Sequence, residues 1–168
     1  MGIYSEDYID ISGIQLPKDA CVVIVRTEWN SAIVDLLEEG AKNCLENFGV
    51  PYKIVTVPGA IEIAFAIKKV WDHSMISNRP SAFIALGCVV KGDTPHFEYV
   101  CQSAVNANVQ LNLSLPVPTI FGVLTVNTQV QAEERTGGIH GHKGEEAALT
   151  AVKMISISYH LNNPDSKN

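Results

Sequence analysis

Four short apolar runs rich in β-branched residues, separated by stretches of helical spacing, constrain this chain more than any other feature of its sequence. The runs are ACVVIVR at Ala20 to Arg26, YKIVTV at Tyr52 to Val57, AFIALGCVV at Ala82 to Val90 and PTIFGVLTV at Pro118 to Val126. Strand-like runs alternating with helical stretches are the pattern of βαβ units around a parallel sheet, and runs without in–out alternation predict strands covered on both faces. Right-handed crossovers then put helices on the two faces of that sheet, giving an α/β fold of three layers.

The first helix is expected where Ile33, Leu36, Leu37, Cys44, Leu45 and Phe48 share one side and Glu38, Glu39, Lys42 and Glu46 the other. Asn30 or Ser31 is placed to cap it, and Gly49 to end it. Further helices are expected from about Ile61 to Trp71, Thr94 to Leu113 and Gly144 to His160, with a short helical turn from Gln129 to Arg135. Asp72 to Pro80 reads as a polar loop, and Ile9-Asp10-Ile11 as a short extra strand paired to another chain's edge. Without a repeat or a dividing linker, residues 1–168 are expected to form a single domain whose first 19 residues are an N-terminal arm.

Composition narrows the functional classes. At 168 residues and 46% hydrophobic content, the chain can bury roughly 70% of its unfolded surface, so its core needs neither metal nor disulfide. Twelve basic against 18 acidic residues give a net charge of −6, and the basic residues are dispersed, which speaks against a nucleic-acid partner. No segment reaches the roughly 20 apolar residues of a membrane helix, and the start lacks the features of a secretory signal or a myristoylation site. A cytosolic protein with no membrane partner is expected. Cys21, Cys44, Cys88 and Cys101 have no CxxC spacing, so they are expected to be reduced and mostly buried, outside any zinc ribbon or dithiol motif.

A doubly wound sheet binds ligands beyond the carboxyl ends of its strands, and the residues there carry chemistry. After the first strand, Trp29 offers either a flat face for a heteroaromatic ring or a packing residue for a helix start. After the second, Pro58-Gly59 turns the chain and leaves the amides of Ala60 and Ile61 near a helix start with Glu62. That group can hold a polar ligand, or be only a turn with a favourable helix-end charge. After the third, Lys91-Gly92-Asp93-Thr94 opens a helix whose amides can receive a phosphate, with His96 in its first turn as a proton carrier near neutral pH. No GxxxxGK[ST] loop is present. The segment Glu134 to Glu146 adds Arg135 and Lys143 among four glycines, a second oxyanion site before a helix. His140 and His142 in it lack a third ligand at a fixed offset, so no metal is expected.

In their order and spacing, VPGAIE at Val57 to Glu62, GCVVKGDTPHFEYV at Gly87 to Val100, PTIFGVLT at Pro118 to Thr125 and ERTGGIHGHKGEEAA at Glu134 to Ala148 resemble the 6,7-dimethyl-8-ribityllumazine synthase family over about Cys21 to Tyr159. That resemblance implies a flavodoxin-like αβα fold with a four-stranded parallel sheet, and pentamers that in many members close twelve at a time into an icosahedral shell. It implies a transferase that condenses 5-amino-6-(D-ribitylamino)uracil with 3,4-dihydroxy-2-butanone 4-phosphate in the penultimate step of riboflavin biosynthesis, without cofactor or metal. Riboflavin synthase is the further partner it suggests.

Position by position, the resemblance implies that Trp29 stacks on the pyrimidine ring, Ala60, Ile61 and Glu62 bind the ribityl chain and ring edge, and Cys88, Val89 and Val90 line the ring through their backbone. Asp93 and Thr94 match the positions that meet the butanone phosphate, and His96 the proton-transfer histidine. Phe121, Arg135 and Lys143 match residues supplied by a neighbouring subunit, Arg135 on the phosphate, while Glu146 orients the Lys143 region. His96, Arg135 and Lys143 are thus the expected catalytic set. Two positions depart from the family pattern: Ala64 stands where proline is common, and His142 where asparagine is usual. By the same resemblance, a Thr136 to Gly144 connection without the insertion that accompanies pentamers unable to close implies a closed shell and not a free pentamer. A scaffold that merely keeps the fold, an archaeal-type riboflavin synthase and a flavodoxin-like carrier are the competing readings.

Overall fold

A computed structural model describes residues 10–164. Strands β1 (Val22–Thr27), β2 (Tyr52–Val57), β3 (Ala82–Val90) and β4 (Thr119–Val126) form an all-parallel sheet in the order β2-β1-β3-β4. The helices are α1 (Ser31–Asn47), α2 (Ile63–His73), α3 (His96–Ser114), a short α4 (Gln129–Glu133) and α5 (Lys143–Asn162). The architecture is the expected three-layer, flavodoxin-like αβα fold. No helix among the described residues is long and apolar enough to cross a membrane.

The period-two geometry of the central strands divides the core in two. Val22, Ile24, Ile84 and Leu86 point to the face covered by α1 and α5, where they meet Val34, Leu37, Ala148 and Val152. Val23, Val25, Phe83 and Ala85 point to the other face and meet Ile63 and Ile67 of α2 and Leu111 of α3. Phe83 is fully buried, and truncation of such a ring to alanine costs about 3–5 kcal/mol.

The end of α1 follows from one glycine. Gly49 takes φ 65°, its amide donates to the Glu46 carbonyl at 2.9 Å, and the Val50 amide donates to Leu45 at 2.9 Å. This paired closure satisfies two helix-end carbonyls and turns the chain into β2. The start of α1 differs from expectation: Asn30 flanks the helix but makes no side-chain cap, because its amide is committed across the sheet.

Three further expectations are corrected. β2 is an edge strand with Lys53 and Ile54 exposed, so it is not covered on both faces despite its apolar run. Asp10 and Ile11 form no strand, and Ile9 lies outside the described residues. The segment after Ile11 instead runs along α5, where the Gln15 amide donates to Ser156 Oγ at 3.0 Å and Ile14 and Leu16 pack on the core. The connection read as a loop before the last helix contains an antiparallel ribbon, β5 (Thr136–Gly138) and β6 (Gly141–His142). The polar loop after α2 holds one 3₁₀ turn at Ile76–Asn78. The four cysteines are free, with Cys44 and Cys88 buried and Cys21 and Cys101 half-buried.

Candidate active site

The chain leaves β1 for β2 on one side and β3 for β4 on the other, so the strand order reverses between β1 and β3. A cavity of about 450 Å³ opens there, at the carboxyl ends. Its walls come from the strand ends, the loops after them and the first turns of α3: Thr27 at the end of β1 and Trp29 after it, Gly59 to Glu62 after β2, Cys88 to Val90 at the end of β3, Gly92 and Thr94 after it, and His96 in α3.

Each wall is fixed by the local chain. The Glu28 amide donates to the Val57 carbonyl at 2.8 Å and the Trp29 amide to Pro58 at 3.2 Å, tying the β1 loop to the end of β2. Asn30 takes the left-handed region, φ 58° and ψ 39°, and its Nδ2 donates to the Cys88 carbonyl at 2.7 Å. Asparagine tolerates that backbone better than other side-chain-bearing residues. It staples the two loops that face each other across the switch point, a role its helix-start position did not reveal.

Trp29 is 69% exposed. Its indole edge lies beside Gly59, where an added Cβ would stand 3.5 Å from Trp29 Cε3 and 3.0 Å from Glu62 Oε2. Trp29 is thus exposed at the cavity wall and not buried behind the start of α1. The Glu62 amide donates to Gly59 at 3.2 Å, and α2 begins one residue later. The Ala60 and Ile61 amides thus sit at a turn entering a helix, with a carboxylate beside them. Such a wall offers donors and acceptors to a polyhydroxylated chain.

Across the cavity, Gly92 and Thr94 lie just before α3, whose first residue is the exposed His96. The positive end of a 19-residue helix favours an anion there. Asp93 stands between these two but does not line the cavity. Lys91 Nζ sits 3.6 Å from Glu98 Oε1 and 5.9 Å from the centre of the Phe97 ring, bracing the loop against the first turn of α3. Cys88 lines the cavity with its thiol pushed up to about 11 by burial, so it is no thiolate nucleophile at neutral pH.

Phe121, Arg135, Lys143 and Glu146 are not in this cavity. Phe121, on β4, lines a narrow cleft between the sheet, α2 and α3 that shares only Ala60 with it. Arg135 and Lys143 face each other at the open end of the β5–β6 ribbon, where the Lys143 amide donates to the Arg135 carbonyl at 2.8 Å. Lys143 Nζ donates to both carboxylate oxygens of Glu146 at 2.7 Å, and Arg135 Nη1 donates to the Gln131 carbonyl at 2.7 Å. His140 Nε2 is 3.7 Å from Glu134 Oε2. No group of three or more His, Cys, Asp or Glu side chains among the described residues is placed to hold a metal ion.

Comparison with known proteins is consistent with this site. A profile of the family described as 6,7-dimethyl-8-ribityllumazine synthase matches residues 19–158. A protein of that name from Parabacteroides distasonis is 44% identical over 152 residues, covering 89% of this chain and 92% of the relative. One from Bacteroides fragilis is 43% identical over 142 residues, covering 83% and 96%. Xanthomonas campestris carries a more distant one, 39% identical over 144 residues. The match runs through all four strands, every wall of the cavity and the ribbon before α5, and on that extent the chain belongs to the 6,7-dimethyl-8-ribityllumazine synthase family.

Proposed function

We propose that this chain, as one domain in a cytosolic homo-oligomer, is the transferase that condenses 5-amino-6-(D-ribitylamino)uracil with 3,4-dihydroxy-2-butanone 4-phosphate, releasing phosphate and water. The observation that carries the reading is the cavity at the switch point. It sets an exposed indole, a carboxylate beside the Ala60–Ile61 turn, and a helix N-terminus with a histidine around one space of about 450 Å³. These are the complements of a heteroaromatic ring, a ribityl chain and a phosphate.

The uracil amine attacks the butanone carbonyl and water leaves to give an imine. Removal of a proton from the adjacent carbon expels phosphate and leaves an enol, which takes up a proton to become a ketone. The ribitylamino nitrogen closes on that ketone, and loss of a second water completes the ring. His96, at the cavity wall beside the helix N-terminus, carries these protons. Trp29 stacks on the pyrimidine, Ala60, Ile61 and Glu62 hold the ribityl chain, and the Cys88 to Val90 backbone lines the ring. Thr94, at the cavity wall, meets the phosphate, with Asp93 next to it outside the wall. Much of the rate comes from holding two reactive molecules together, since orientation in a shared pocket replaces a bimolecular encounter.

Arg135, Lys143 and Phe121 act from a neighbouring subunit, with Glu146 holding Lys143. That arrangement is supported by their place outside the cavity and by the apolar residues exposed on α2 and α3, among them Phe65, Val105, Val109 and Leu113. The assembly is a pentamer, closing into an icosahedral shell, with riboflavin synthase as its candidate partner. The test mixes purified protein with both substrates and follows the lumazine chromophore and free phosphate against the uncatalysed reaction. Acceleration of both is expected; a folded assembly that accelerates neither would overturn the reading. Light scattering that finds only a free pentamer at neutral pH would remove the shell and leave the reaction.

A further inference from the structure

We infer that His142, seated in a notch that Gly40 leaves in α1, is a positioning residue that sets Arg135 and Lys143 for the phosphate-bearing substrate; the identity of that substrate rests on the function proposed above. A Cβ built on Gly40 would fall on the imidazole, meeting Cε1, Nδ1 and Nε2, the farthest of them 2.6 Å away. Gly40 is buried in the interior of a 17-residue helix. Glycine is a poor helix former at such a position, and here its missing side chain is the space that the ring occupies.

The same imidazole touches two more elements. A Cβ on Gly137, in β5, would lie 3.6 Å from His142 Cδ2. His142 Nδ1 accepts from the Glu145 amide at 3.4 Å as the cap of α5. One side chain therefore pins the ribbon and the start of α5 to α1.

The two cations are carried by that ribbon. His142 pairs with Thr136, so the residue after Arg135 and the residue before Lys143 are register partners. The Lys143 amide closes the pair on the Arg135 carbonyl at 2.8 Å. A shift of His142 moves both backbones together. Asparagine can cap a helix but is too short to fill the notch, so the ring and Gly40 form a matched pair.

The experiment compares Gly40→Ala, His142→Asn, His142→Ala and the Gly40→Ala/His142→Asn double variant in the full assembled chain. It reads steady-state kinetics with both substrates and amide hydrogen exchange across 136–143. Gly40→Ala is expected to displace the ring, loosen the ribbon and raise KM for 3,4-dihydroxy-2-butanone 4-phosphate about tenfold or more with kcat changed less than about threefold. His142→Asn in the same chain clears the added methyl and keeps a cap, so the double variant is expected within about threefold of wild type. An unchanged KM in Gly40→Ala, or a defect that His142→Asn does not relieve, would overturn the inference.

If Gly40→Ala does not assemble, the two single His142 variants decide. His142→Asn, which keeps the cap but empties the notch, raises KM, and His142→Ala, which loses both, raises it further; an unchanged KM in His142→Asn sinks the idea. A wild-type chain that forms no lumazine defeats the proposed function instead. Exchange then decides the seat of His142 alone, and a ribbon no looser in Gly40→Ala overturns it.

Discussion

Asn30 shows how much of this site depends on single side chains whose work is not chemical. Its left-handed backbone and its 2.7 Å bond to Cys88 hold two loops at a fixed separation, and Trp29 is displayed because the residue after it is held. His96 and Arg135 are different, because their effects divide between the chemical step and binding. His96→Ala should lower kcat without abolishing turnover, leaving the share of the rate that orientation supplies. Arg135→Ala should mainly raise KM for the phosphate substrate, since it removes a charge that binds as well as stabilises. Steady-state kinetics on both variants separate the two, and complete loss of activity in a folded, assembled His96→Ala would sink the first. Cys88 makes a pH prediction of its own. Its thiol is moved from an ordinary 9.0 to about 11, so the thiolate is scarcer at every pH below that value, about a hundredfold at pH 7. Alkylation of Cys88 by iodoacetamide, followed by mass spectrometry, should be slow at neutral pH and rise only towards about 11.

Elements with a strong period were legible from sequence, and those without one were not. The four sheet strands and all four long helices fall within a few residues of where the apolar spacing put them, because each buries a face whose pattern the sequence must carry. The β5–β6 ribbon has only three and two residues per strand, three of the five of them glycine. It has no face to bury, and so no pattern to read. β2 misleads for a different reason: four of its six residues are apolar, but Lys53 and Thr56 interrupt the run, and its place at the sheet edge leaves Lys53 and Ile54 uncovered. The walls of the cavity were found at the strand ends, whereas the contact of Gly40 with His142 spans a hundred positions and leaves no local mark. The crossing of α1 and α5 is equally hidden and can be tested directly. A Cβ on Gly144 would strike the Leu37 carbonyl and stand 2.8 Å from its Cα. Backbone atoms cannot turn aside as a side chain can, so Gly144→Ala should cost about 3 kcal/mol, the upper end of overpacking. That corresponds to a fall in Tm of roughly 6–12 °C by differential scanning fluorimetry in a chain of this size. A fall under about 2 °C would mean that the two helices do not cross so closely.

For the molecule as a whole, the decisive feature is what the cavity lacks. Trp29, Glu62 and His96 surround it, while Arg135 and Lys143 are held elsewhere on the same chain by the ribbon, Gln131 and Glu146. The proposed site between subunits has a consequence that no single-chain site shares. In that arrangement His96→Ala and Arg135→Ala each remove one half of a junction, from different protomers. In a ring assembled from an equal mixture, some junctions pair an intact His96 from one protomer with an intact Arg135 from its neighbour. Random assembly makes these about one quarter of all junctions, given one equivalent junction per protomer in a closed ring. Denaturing the two variants together, refolding them and assaying at butanone phosphate well below the raised KM of Arg135→Ala, where each variant alone is slow, should therefore give at least about a quarter of wild-type activity, above the average of the two refolded separately. If the reaction used one chain's own His96 and Arg135, every site in the mixture would keep its original defect, and the activity would equal that average.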